Sequence, residues 1–413
     1  MAHRQNQRVP SILHHLSLPF LRGKYGAVGG RLGVPRPDDA PQAHAPGIDP
    51  DRILIFGNGA AVGWGVRSHD LALPGHLARK LSALTGRGVD VDVVADPVVT
   101  IRSAAQAVPV DRLGGYDAVV IVLGVSDALR LTSLGRWKQG LLELLDVIDA
   151  NAHETCEIVL VGIHRPSSIA AFSVREAGLV DRHGERLDEV TRQICEARTR
   201  THFVEPPELT AELAPAGTDR FRLWAQDHAA MLAPLLDHHV GRGPSARDAR
   251  HQPQSDEVRL EAIRALGLLD SPAEKRFDDI TERARLLLGT AGAAFSIVDE
   301  GRLFNKSFSG VGRSEVPLRG AMCAVTIRSG RPFVVPDVWH DDRFVTHPAV
   351  RFYAGHPVES PDGVRIGALC VTDPEPRSAD SVDLVLLREL ALLVQRELAA
   401  GAAEPEETPA AAA

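Results

Sequence analysis

The residues of this chain whose types suggest chemistry fall into two groups, far apart in sequence. In the first, the apolar run Ile53-Leu54-Ile55-Phe56 enters Gly57-Asn58-Gly59, and a second run, Ala118 to Leu123, enters Gly124-Val125-Ser126-Asp127. Asp219 follows much later, just ahead of Arg222-Leu223-Trp224-Ala225. Hydroxyl, acid and base groups at the ends of such strands are the means of ester hydrolysis. A serine hydroxyl is a weak nucleophile that needs an adjacent base, and the oxyanion it creates needs preorganised donors. Gly59 has no oxygen to offer. Nearby stand His69, His76, His164 and His228, with Ser68 and Ser103 as hydroxyls, but nothing in their spacing sets one against another. A different chemistry is also open. Gly57-x-Gly59-x-x-x-Gly63, after a strand and before a helix, is the pattern of a loop whose backbone N–H groups cradle phosphate. Asp90 or Asp92 would then reach a ribose. The plainer reading is that these glycines only let a tight turn pass.

The second group is Cys323, Cys370 and the aromatics Phe304, Phe344, Phe352 and Tyr353. The chain has four cysteines, Cys156, Cys195, Cys323 and Cys370, with no CxxC and no Cys/His pairing at zinc-ligand spacing. That predicts a reduced, cytoplasmic compartment and no metal or cofactor. Free cysteines are usually inert packing residues. The five candidates for a pocket wall are Phe304, Cys323, Phe344, Phe352 and Tyr353; an apolar pocket with a few convergent polar groups is the usual form of a ligand site. Phe304 and Phe352 read equally as plain core. Tyr353 differs, because a buried phenol wants a hydrogen-bond partner.

Positioning these groups takes two domains, and 413 residues suffice for both. Residues 1–50 have no periodicity and read as a disordered arm. From 51 to 240 the pattern alternates strand and helix. Strands are expected at Ile53–Phe56, Val89–Ala95, Ala118–Leu123, Ile158–Ile163 and His202–Val204, with helices near His69–Leu84, Arg136–Ile148, Arg182–Thr199 and Arg222–His238. All-apolar strands such as AVVIVL are buried on both faces, which predicts a parallel sheet between helix layers. Residues 241–255 are a linker by composition. In 256–400, Ser271-Pro272-Ala273-Glu274 reads as a capping box, and Gly289 closes the helix that follows. Asp299-Glu300-Gly301 and Pro361-Asp362-Gly363 are hairpin connections, so this sheet should be antiparallel. A last helix carries Leu384, Leu387, Ala391, Val394 and Leu398 at a/d spacing; residues 401–413 read as a disordered tail. The net charge of −8 argues against a nucleic-acid partner. No apolar run reaches the ~20 residues that span a bilayer, and no secretory signal is expected.

On these motifs the first domain resembles the SGNH (GDSL-type) hydrolases: Ile53 to Val66 is similar to their opening block and Tyr116 to Ser133 to their third. The resemblance implies a flavodoxin-like three-layer α/β/α fold. It also implies a serine where Gly59 stands, an asparagine at Ser126, a glycine where Ala95-Asp96-Pro97 lies, and a histidine soon after Asp219. All four are missing, so Gly59, Ser126, Asp127 and Asp219 are vestigial positions of a pseudoenzyme. Residues 256–400 resemble a bacterial GAF domain, carried by Ser296-Ile297-Val298-Asp299, Met322-Cys323-Ala324, Val335-Pro336-Asp337, Arg351-Phe352-Tyr353-Ala354-Gly355 and Leu369-Cys370-Val371-Thr372-Asp373. That resemblance implies an α+β fold binding a small molecule or a signalling partner protein. It also implies a homodimer through the last helix, unless that helix packs on its own sheet. Similarity to the GAF-type free methionine sulfoxide reductases stops at the fold, because 341–351 lacks their other cysteines. The combined expectation is a sensory protein of signal transduction with a degenerate hydrolase scaffold. The alternatives are an ester hydrolase with a relocated site and a nucleotide-binding module.

Overall fold

The computed structural model describes residues 35–165, 174–206, 218–239, 254–344 and 349–403. The chain divides into two compact units, one formed mainly by residues before 240 and the other mainly by residues after 253; the short stretches 45–51 and 87–89 group with the second.

The first unit runs β1 (Gln42–Ala45), β2 (Asp51–Gly57), α1 (Leu73–Thr85), β3 (Val89–Ala95), α2 (Ile101–Ala107), β4 (Ala118–Val122), α3 (Val125–Leu129), α4 (Leu134–Asn151), β5 (Glu157–Val161), α5 (Val174–Glu196), β6 (Thr201–Val204) and α6 (Thr218–His239). Its described strands lie in the order β1-β3-β2-β4-β5-β6. Strands β2, β4, β5 and β6 pair in parallel, with Ile53 opposite Ala118, Val119 opposite Ile158 and Val159 opposite His202. Alternate residues Leu54, Phe56, Val119, Ile121, Ile158 and Leu160 bury on one face with Ile101, Trp137, Leu141 and Leu187 of α2, α4 and α5. On the other side α1 packs against α6, which also lies on β5 and β6. Strands apolar at every position are needed because helices cover both faces. With the edge strand β1 set aside, the order is the flavodoxin-like one.

The second unit runs α7 (Asp256–Leu266), α8 (Lys275–Leu287), β7 (Gly292–Val298), β8 (Arg302–Gly310), β9 (Glu315–Pro317), α9 (Met322–Ser329), β10 (Phe333–Val335), β11 (Phe352–Glu359), β12 (Arg365–Asp373) and α10 (Leu384–Ala403). The sheet order is β10-β11-β12-β7-β8-β9, antiparallel throughout. Helices α7, α8 and α10 cover one face, where Ile263, Phe277, Ile280, Phe295, Leu369 and Leu387 form the core. Helix α9 and the segment around Val338 and Phe344 cover the other.

Four expectations change. Of the arm expected over 1–50, residues 1–34 lie outside the described residues, but Gln42–Ala45 is a strand of the first sheet. Its four residues are too few to show a period. Helix α2 was not expected, for the same reason. Ser271 does not cap α8, whose N-cap is Glu274. Instead, Ser271 and Glu274 both hold the buried Lys306 ammonium, Glu274 at 2.7 Å. Finally, the a/d residues Leu387, Ala391, Val394 and Leu398 are spent on the core of their own sheet. The homodimer seam is therefore not available: an apolar stripe buried once cannot bury a second copy. The linker at 241–255 lies outside the described residues except for 254 and 255, and the expected tail outside them from 404 onward.

Candidate functional site

In an open parallel sheet, ligands bind outside the carboxyl ends of the strands where the strand order reverses. Here that point lies between β2 and β4, and the loops leaving them are Gly57-Asn58-Gly59 and Leu123-Gly124-Val125-Ser126. The two loops are tied together, since Asn58 donates its backbone N–H to Val122 O at 2.8 Å. Its side-chain Nδ2 reaches Val99 O at 2.7 Å, while its buried Oδ1 has no partner. The glycines differ in what they do. A Cβ on Gly57 would lie 2.1 Å from Val122 O, and one on Gly124 would lie 2.5 Å from Ile163 Cδ1, so packing forbids both. At Gly59 a Cβ would only touch Val125 Cγ2 at 3.4 Å. There the constraint is the backbone, held at φ +60°. A serine at 59 would fit the space at the cost of left-handed strain.

Ser126 sits half-buried in α3. Asp127 is buried, accepting from Ile101 N at 3.0 Å and Thr132 Oγ1 at 3.0 Å, so it clasps the start of α2. Burial raises its pKa above the ordinary carboxylate range. Asp219 is exposed in the first turn of α6, 3.5 Å from Arg222. Pro97 lies within a turn in which Asp96 Oδ1 accepts from Val98 N at 2.9 Å. Ser68 and His69 both bind Asp39, at 2.7 and 2.6 Å, so the hydroxyl meets the acid and not the base. Ser103 closes a capping box with Thr100. The Ser68 and Ser103 hydroxyls are thus engaged by Asp39 and Thr100. His164 and His228 lie deeper. The His164 ring packs on Trp224 with centroids 4.0 Å apart. Among the described residues, none hydrogen-bonds the buried His164 Nε2, Trp224 Nε1 or either ring nitrogen of His228. Burial depresses the pKa of His164 to about 3 and of His228 to about 4, so both are neutral at pH 7.

The second unit is arranged differently. Alternation along β11 sends Phe352 to the face covered by α7, α8 and α10 and Tyr353 to the face under α9. Phe304 goes with Phe352, while Cys323, Phe344 and Tyr353 are brought together with Cys370. Tyr353 is fully buried, and its hydroxyl lies 2.7 Å from Thr326 Oγ1 and 3.4 Å from Cys323 Sγ. Gly355 makes this ring position available: a Cβ there would lie 2.1 Å from the Tyr353 hydroxyl. Cys323 Sγ and Cys370 Sγ are 3.8 Å apart, and Ser296 Oγ lies 4.0 Å from Cys370 Sγ. Hydrogen bonding from Cys370, then from Tyr353, draws the Cys323 thiol below its usual pKa against the cost of burial. The same contact and burial push Cys370 up. At the margin, Arg343 lies over Phe333 and Phe344, 5.4 and 5.2 Å from the ring centres. Arg351 stacks on the exposed Trp339 at 4.5 Å and forks onto Asp337. That fork holds Asp337 well below the carboxylate range. Sequence reasoning missed Thr326, Ser296 and the Arg351–Asp337 fork. The one signal for Thr326 was its place one helical turn after Cys323.

Among the described residues no cluster of histidine, cysteine and carboxylate side chains is arranged to hold a metal ion, and no helix is long and apolar enough to cross a membrane. Residues 272–398 match the family model described as the GAF domain, and they form a GAF domain. A curated relative, a cyclic di-GMP phosphodiesterase of Pseudomonas aeruginosa, is 33% identical over 153 residues, which are 35% of this chain and 26% of the relative. The chain thus spans about a quarter of the length of the curated relative it matches. Among solved structures, the free methionine-R-sulfoxide reductase of Neisseria meningitidis is 20% identical over 37% of this chain and 95% of its own, with a TM-score of 0.28. The GAF domain of a phosphoenolpyruvate-protein phosphotransferase from Coxiella burnetii is 15% identical over 36% of this chain and 99% of its own, with a TM-score of 0.27. TesA is 17% identical over 45% of this chain and 99% of its own, with a TM-score of 0.33. Likenesses this slight bear on neither activity nor ligand.

Proposed function

We propose that this chain is a sensory protein of signal transduction whose GAF domain binds a small molecule, or a partner protein, on the sheet face beneath α9. The first unit then serves as a scaffold, an SGNH-like hydrolase frame emptied at Gly59 and after Asp219. The observation that carries the reading is the contrast between the two faces of the GAF sheet. One is packed by Phe277, Phe295 and Phe352, and its few buried polar groups, Ser307 and Lys306, are tied to Thr281 and Asp278 of α8 and to Glu274 and Ser271 ahead of it. The other buries hydroxyls and thiols, Tyr353, Thr326, Ser296, Cys323 and Cys370, between β7, β11, β12 and α9. A cluster of convergent polar groups beside aromatic walls is the composition of a ligand site. The GAF family match and the signalling relative support the same reading.

The test is thermal unfolding of the full chain against cyclic nucleotides, tetrapyrroles and amino-acid metabolites. A ligand at a hundredfold excess over its Kd adds about 2.7 kcal/mol to the unit it binds. The expected shift is confined to the second unit and shrinks in Tyr353→Phe. No shift from any class removes the small-molecule reading and leaves a partner protein as the signal.

A further inference from the structure

The two thiols of the GAF domain stand 47 residues apart in sequence and 3.8 Å apart in space. Cys323 is in the first turn of α9, and Cys370 is in β12, a central strand held by β11 and β7. We propose that Cys323 and Cys370 form a reversible intramolecular disulfide when the domain meets a small hydroperoxide, making this face of the sheet a thiol-oxidation site. This deepens the sensory reading by naming a signal for the same face. It rests on that reading for its purpose but not for its chemistry.

The environment divides the labour between the two sulfurs. Cys323 accepts from the Tyr353 hydroxyl at 3.4 Å and as a thiol donates to Cys370 Sγ at 3.8 Å; once it is a thiolate, the Cys370 thiol can donate back to it. A helix N-terminal position adds to that stabilisation. Cys370 has Ser296 Oγ at 4.0 Å and keeps its proton more firmly. The nucleophile is therefore Cys323 and the resolving thiol Cys370. The Cys323 thiolate attacks the near oxygen of the peroxide, the O–O bond breaks, and hydroxide leaves with a proton as water; the product is a sulfenic acid. Cys370 Sγ then attacks that sulfur, the S–O bond breaks, and the Cys370 proton leaves with the hydroxyl as a second water. In sum, two thiols and one hydrogen peroxide give one disulfide and two waters.

A disulfide needs its sulfurs about 2 Å apart. The closure falls on α9, an eight-residue helix, because β12 is fixed on both sides by the sheet. The start of α9 is drawn onto β12 directly over Tyr353, which joins oxidation to the shape of the proposed binding face. Both cysteines are 4% exposed, so the site selects small neutral oxidants over bulky reagents. Cys156 and Cys195 are also buried, in the first unit, where burial pushes their thiols up to about 12 and about 11. They are internal controls.

The experiment treats the reduced full chain with hydrogen peroxide, then counts thiols after denaturation and maps the digest without reductant. The expected result is loss of two thiols of four, a Cys323–Cys370 cross-linked peptide 2 Da below the sum of its parts, and recovery with dithiothreitol. In Cys370→Ser, dimedone present during denaturation of the oxidised protein should trap a sulfenic acid at Cys323. In Cys323→Ser, Cys370 should stay reduced. Tyr353→Phe should oxidise about two- to tenfold more slowly, the equivalent of one hydrogen bond. Four intact thiols in the wild type, or loss spread evenly over all four, overturns the proposal. So does equal oxidation of Cys370 in Cys323→Ser. Because the readout is covalent, it is the same whether or not a metabolite binds.

Discussion

The two units differ in how completely they match their buried polar groups. Among the described residues of the first, several buried polar atoms find no hydrogen-bond partner, Asn58 Oδ1, His76 Nε2, His164 Nε2, Trp224 Nε1 and both nitrogens of His228, while others such as Asp127 are matched. In the second, the polar groups on the strands are matched. Lys306 is held by Glu274, Ser271 and Pro272 O. Ser307 bridges Thr281 and Asp278 at 2.8 and 2.6 Å, and Tyr353 meets Thr326. An unpaired buried donor or acceptor costs about 1–3 kcal/mol, and the atoms of this kind named above belong to the first unit. The lesson is that an intact frame and a working site are separable. The first unit has its sheet order and its tight glycines, and on the proposed reading no reactive group at Gly59. The second concentrates its polar chemistry where a helix covers the sheet.

The largest effect that can break this comparison is acid lability. His164 and His228 are neutral in the fold, with pKa values near 3 and 4 against 6.5 unfolded. A depressed pKa gives stability that is full above pH 6.5 and lost as pH falls toward the folded value, because the unfolded chain takes up the protons first. Between pH 7 and pH 4.5 the first unit should lose on the order of 2 kcal/mol per ring. Unfolding in denaturant at both pH values measures it, and His228→Leu should flatten the slope. An unchanged slope in that variant means the rings are not held neutral. The next effect concerns the second unit. Lys306→Met leaves Glu274 and Pro272 O facing a methyl group and should cost about 2 kcal/mol, with the loss confined to the second unit's transition. A neutral result would show that the matching there is not what stabilises it. The smallest expected effect is none. Gly59→Ser restores the missing hydroxyl without a base, and hydrolysis of short-chain nitrophenyl esters should stay at background in both variant and wild type. Robust turnover in either sinks the scaffold reading.

Much of the fold was legible because it is written locally. Strands such as AVVIV, apolar at every position, announce burial on both faces, and hairpins such as Pro361-Asp362-Gly363 announce antiparallel pairing. Short elements were not legible: Gln42–Ala45 and Ile101–Ala107 hold too few residues for a period to emerge. The site was partly legible. Cys323, Phe344 and Tyr353 converge, but Phe304 and Phe352 belong to the opposite face. Adjacent residues of a strand point to opposite sides, and Phe352-Tyr353 gives no clue which side the ligand-like face will be. The α10 stripe had the same ambiguity, since an apolar seam looks alike whether it meets a partner or its own sheet.

By itself the sequence determined that Gly59 carries no nucleophile, that two domains follow one another, and that the four cysteines form no metal motif. Those are facts of residue type and local spacing, which need no packing to be true. Only the tertiary structure decided that Cys323 and Cys370, unremarkable apart, share one buried neighbourhood with Tyr353. Their meeting depends on where α9 lands over β12, and that is set by the packing of the whole sheet rather than by any stretch of chain that contains them.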